Sequence, residues 1–77
     1  METNDSWLVP DQLLVEDAFH GRNVWASRLG GAVLVHGEVE GLPPQEADAV
    51  RQRLRAAYPG QRVTDEGDLW AVWPPSH

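Results

Sequence analysis

A small α+β domain is predicted for this chain by three observations: two β-rich runs meeting at a glycine pair, one proline-opened amphipathic helix, and a second hairpin near the end. The expected architecture is a two-layer fold, an antiparallel sheet of two hairpins in the order β(β)β–α–ββ with one amphipathic helix on one face. Residues 1–77 read as a single domain, with 1–6 and 74–77 as flexible tails.

From the start of the chain, Met1 to Ser6 is polar, and Trp7-Leu8-Val9-Pro10 is a short apolar segment that Pro10 keeps out of a central strand. In the stretch from Gln12 to Phe19, Leu13, Leu14 and Val15 are contiguous rather than periodic, so spacing does not decide between strand and short helix. His20-Gly21-Arg22-Asn23 reads as a turn. Val24 to Arg28 and Ala32 to His36 are β-rich runs flanking Gly30-Gly31, the composition of a tight hairpin. The second run is expected to continue to Val39 or Glu40, with Gly37 marking a bulge or a close backbone approach. Pro43-Pro44 opens a helix to about Ala57, because proline loses nothing in a first turn where its N–H would be unpaired anyway. Ala47, Val50, Leu54, Ala57 and Tyr58 form its apolar stripe, and Pro59-Gly60 ends it. A final hairpin is expected over Gln61 to Thr64 and Leu69 to Trp73, turning through Asp65-Glu66-Gly67-Asp68.

Composition narrows the function classes. A domain of 77 residues buries a modest share of its surface, so its core is thin. With no cysteine, neither a disulfide nor a thiolate metal site is available. All six bases are arginine, so Schiff-base lysine chemistry and the phosphate-loop lysine are excluded. The net charge of −6 disfavours direct binding to nucleic acid or to an anionic membrane surface. The first residues lack the basic and apolar regions of a secretory leader, and the longest apolar run is Ala32 to Val35. A cytoplasmic location is the expectation.

Three constellations could carry chemistry. His36, Glu38 and Glu40 alternate along one expected strand and would share a face, but a tetrahedral site needs a second element to close it. Asp65, Glu66 and Asp68 surround Gly67 without the ligand spacing of a calcium loop, so a plain turn explains them. Ser6, Ser27 and Ser76 lie in no nucleophile elbow, and His20 has no orienting acid beside it. No catalytic residue, cofactor or metal is expected.

The four tryptophans, Trp7, Trp25, Trp70 and Trp73, say more. Alternation along the strands puts Trp25 opposite Val24 and Ala26, and Trp70 and Val72 opposite Leu69, Ala71 and Trp73. Both sheet faces then carry large apolar groups, and one helix covers one face. The second face is left for the Trp7–Phe19 segment, a second copy, or a partner. The reading is a non-enzymatic protein–protein interaction module that binds and regulates a larger protein, inhibition included, by analogy with small phage inhibitors, with a homodimer allowed for. Its expected partner-binding residues are Trp25, Leu34, Trp70 and Trp73. The alternatives are an acidic mimic of nucleic acid in the basic groove of a nucleic-acid enzyme, and a small metal- or ligand-binding enzyme using His36 and Glu38.

Overall fold

The computed structural model describes residues 11–75, so the Trp7–Pro10 segment, the 1–6 tail, Ser76 and His77 lie outside the described residues. Six elements follow in order: α1 (Asp11–Ala18), β1 (Val24–Leu29), β2 (Ala32–Gly37), α2 (Pro44–Ala57), β3 (Val63–Asp65) and β4 (Trp70–Val72). The strands form one antiparallel sheet in the order β1-β2-β4-β3, so the two expected hairpins lie side by side. The segment that spacing does not decide is helix α1, giving two helices where one is expected from sequence. Its helical logic lies in its contacts: Val15, Ala18 and Phe19, at i, i+3 and i+4, all enter the core, while Leu13 points away and is exposed.

The first hairpin turns on Gly30 and Gly31 with φ of 58° and 87°, the paired positive values that a two-residue turn of primed type requires. Gly37 is a close approach rather than a bulge: a Cβ there would lie 2.4 Å from the Asn23 carbonyl oxygen. Strand β2 ends at this glycine, short of the expected Val39 or Glu40, because the chain leaves the sheet at φ 106°. Helix α2 matches the expected span, with Val50 and Leu54 fully buried along its stripe.

Both helices pack on the same face. Helix α1 lies against β1 and α2, and α2 reaches across to β3. Beneath them, register lines up Val24 and Ala26 on β1, Val33 and Val35 on β2, Trp70 and Val72 on β4, and Val63 on β3. Trp70 is the largest fully buried side chain, edge-on to Phe19 with ring centroids 5.6 Å apart. Its indole N–H donates to the Val39 carbonyl at 3.3 Å, so the one polar atom of the ring is satisfied inside the core. The Arg51 guanidinium lies 5.4 Å from the Trp70 ring centroid.

The outer edge of β1 is covered by a side chain. The Gln12 amide donates to the Val24 carbonyl at 2.9 Å and accepts from the Ala26 N–H at 2.9 Å, bonding as a neighbouring strand would. The preceding residue, Asp11, takes both arms of Arg28 on its carboxylate, at 2.7 and 3.2 Å, and accepts the Tyr58 hydroxyl at 2.7 Å.

Candidate docking face of the sheet

The face turned away from the helices is an ordered array. Directly opposed residues of an antiparallel pair share a face, so the registers, carried one residue past each end of β3 and β4, give three rows across the four strands. The middle row is Ser27, Leu34, Ala71 and Thr64. The row at the Gly30-Gly31 end is Leu29, Ala32, Trp73 and Arg62, the last pair closed by the Trp73 N–H donating to the Arg62 carbonyl at 2.8 Å. The row at the opposite end is Trp25, His36, Leu69 and Glu66, where the Glu66 N–H donates to the Leu69 carbonyl at 2.9 Å. No element among the described residues covers this face. Its β1 side is the most open, with Trp25 56% and Leu29 69% exposed, while Leu34 and Trp73 are half-buried and Ala32 and Ala71 are buried.

Each tryptophan of the face is held in place. Trp25 stacks on His36 with centroids 6.1 Å apart, and the His36 ring shares a 3.0 Å hydrogen bond with the Ser27 hydroxyl. Gly37 makes room for the indole, since a Cβ there would lie 3.0 Å from a Trp25 ring carbon. On the other side, the Trp73 indole N–H donates to Thr64 Oγ1 at 2.8 Å, and that hydroxyl donates to Glu66 Oε2 at 2.6 Å. The Arg62 guanidinium lies 5.9 Å from the Trp73 ring centroid. Side chains fixed by neighbours lose less conformational freedom on binding, which suits them to contact a rigid surface.

Charge is divided between the two ends of the sheet. The loop after β2, with Glu38 and Glu40, and the β3–β4 turn, with Glu66 and Asp68, lie at one end because β2 and β4 run antiparallel. Arg28 and Arg62 lie toward the other end. Three carboxylates are matched by arginines: Asp11 with Arg28, Glu46 with Arg22, and Asp48 with Arg51. The bidentate arginine holds the Asp11 carboxyl below its ordinary pKa against the opposing effect of burial. Arg22 does the same for Glu46, likewise against desolvation.

Of the four expected partner-binding residues, the structure brings Trp25, Leu34 and Trp73 onto this face, with Leu34 in the centre. Trp70 does not join them. It is level with Val35, a position under the helices, and is 0% exposed. His36, Glu38 and Glu40 do not share a face either: β2 stops at Gly37, and Glu38 turns to the Asn23 backbone and side-chain amides at 3.4 and 3.3 Å. Among the described residues no three His, Asp or Glu side chains come together as a metal site, and no concave pocket opens. The Asp65–Asp68 stretch is a turn in which the Asp65 carboxylate accepts the Gly67 N–H at 2.9 Å. Sequence reasoning missed Leu29, Arg62 and Glu66 as members of the face. Pairing Leu69 with Glu66 across a two-residue Gly67-Asp68 turn, and alternating back from there, would have found the last two.

Comparisons with family models, curated proteins and solved structures return no match for this chain. A flat aromatic face with no cleft can stack, exclude water and present a few fixed polar groups. Those are the properties of a surface that docks another surface.

Proposed function

We propose that this chain is a non-catalytic protein-interaction module that docks a larger protein on the open face of its sheet and regulates it by occupancy. The observation that supports this is the one-sided placement of the helices. Both lie over the Trp70 face, while Trp25, Leu29, Leu34 and Trp73 stand on the other. Aromatic side chains anchored in a patch ringed by polar groups are where interface energy concentrates.

The reading as a carboxylate mimic of nucleic acid is less well supported. Such a mimic needs a continuous carboxylate surface, whereas the described acids are divided between the two helices and one end of the sheet, and three are matched by arginines. The His36 and Ser27 pair has the spacing of a base and a nucleophile, but its hydrogen bonds include no carboxylate to orient the ring.

The test is affinity capture from the native cell with three chains: the parent, Trp25→Ala, and Leu13→Ala. Leu13 is as exposed as Trp25, at 56%, but sits on α1. A partner docked on the sheet binds the parent and Leu13→Ala alike and loses about thirty-fold in affinity to Trp25→Ala. Equal capture by all three chains would remove the open face from the interaction.

A further inference from the structure

We infer that the free chain pairs this face with the same face of a second copy, across a two-fold axis lying in the face and perpendicular to the strands. The inference rests on the docking reading above and names the occupant of the face when no larger partner is present. A two-fold interface must be self-complementary, because residue i meets j while j meets i. Rotation about this axis sets each strand over its own counterpart and exchanges the two outer rows. Trp25 then faces Leu29 of the second copy, Trp73 faces Leu69, and Arg62 faces Glu66. The middle row faces itself, placing Leu34 on Leu34.

Each large group thus meets an apolar one, and each charge meets its opposite. The other in-plane axis, parallel to the strands, fails the same test. It would lay β1 over β3, setting Trp25 against Glu66 and Leu29 against Arg62. Charge complementarity therefore selects one arrangement, an aligned sandwich whose sheets stack about 10 Å apart with a modest twist offset.

The expected strength is low. Four strands at about 4.8 Å and three rows at about 7 Å give a face roughly 20 Å on a side, and pairing two buries on the order of 1,000 Å². That is the small end of specific interfaces, consistent with a weak dimer that a larger partner can displace. Each copy carries a net charge of −6, but physiological salt screens charges beyond about 8 Å and leaves the Arg62 and Glu66 contacts dominant.

Sedimentation of the full chain over a range from about 1 μM to about 500 μM tests the proposal. A monomer–dimer transition is expected within that range. Arg62→Glu and Glu66→Arg should each weaken association about tenfold or more, and the double charge swap should recover most of the loss. Both side chains are exposed and their contacts with Trp73 and Thr64 lie at the surface, so thermal melts of the variants should stay close to the parent's. The absence of cysteine allows a second check. In the paired arrangement position 62 of one copy faces position 66 of the other across about 10 Å, beyond disulfide reach, whereas like positions are offset by about a further 14 Å along the strand. A thiol-reactive cross-linker of about 10 Å reach, added to an equal mixture of Arg62→Cys and Glu66→Cys chains, should therefore favour the mixed covalent dimer over either homodimer. A chain that stays monomeric throughout overturns the proposal. So does a double swap as weak as its parents, or cross-linking without preference. Monomeric behaviour alongside Trp25-dependent capture of a partner would overturn the dimer alone and leave the docking face standing.

Discussion

Tyr58 is the only tyrosine in a chain without lysine, which makes it an unusually clean reporter of the packing around it. Burial, and then the hydrogen bond it donates to Asp11, hold its phenol well above the ordinary value of 10.0. A group whose pKa is raised by folding stabilises the fold fully below its unfolded pKa, and the contribution disappears as pH rises toward the folded one. Stability should therefore decline above about pH 10, where no other side chain of this chain titrates until arginine. Tyr58→Phe should cost about 1 kcal/mol at neutral pH through the lost bond to Asp11, and should abolish the alkaline decline. Melts of both chains at about pH 8 and about pH 11 check this, and an alkaline decline that survives the substitution would contradict it. The same scale shows why the tryptophans could not be sorted by composition. Trp25 and Trp70 are the same residue in similar β-rich surroundings, and only the register that levels Trp70 with Val35, and Trp25 with His36, sends one inward and the other out. Alternation separates the two faces in the sequence, yet it does not say which face the helices take.

At the level of elements, the hairpins and α2 were legible because each is specified by local chemistry. Gly30-Gly31 supplies two positive φ values, and Pro43-Pro44 with a spaced apolar stripe supplies a helix start and a buried side. Helix α1 was not legible, because its short apolar run is contiguous and its helical form rests on tertiary contacts of Val15, Ala18 and Phe19. Its role at the β1 edge was equally hidden. Gln12 offers one acceptor and one donor at the spacing of a strand partner, and the two groups it engages are 14 and 12 residues away. Edge strands need such cover, since open N–H and C=O groups recruit other chains. Gln12→Ala should expose the Ala26 amide, with a cost of about 1 to 2 kcal/mol for the two bonds. Amide hydrogen exchange measures this directly: Ala26 should exchange markedly faster in the variant, while amides inside the β2–β4 ladder shift only with global stability. Unchanged exchange at Ala26 would mean that the edge is covered by something else.

For the molecule as a whole, the informative feature is the imbalance between layers. The sequence carries enough apolar residues for both faces of the sheet, and that surplus was readable from alternation alone. The fold adds that α1 and α2 share one face, so among the described residues the other carries the surplus as two braced tryptophans around Leu34. Trp25, more than half exposed and stacked on His36, is the large aromatic of this face least covered by the described residues. The most direct measurement is acrylamide quenching of the Trp25 emission, obtained as the difference between the parent and Trp25→Phe at a concentration too low for association. This component should be quenched far more readily than the buried Trp70, and should become shielded as the concentration rises or a partner is added. A Trp25 component already shielded in the dilute chain would contradict it, because the chain itself would then cover the face.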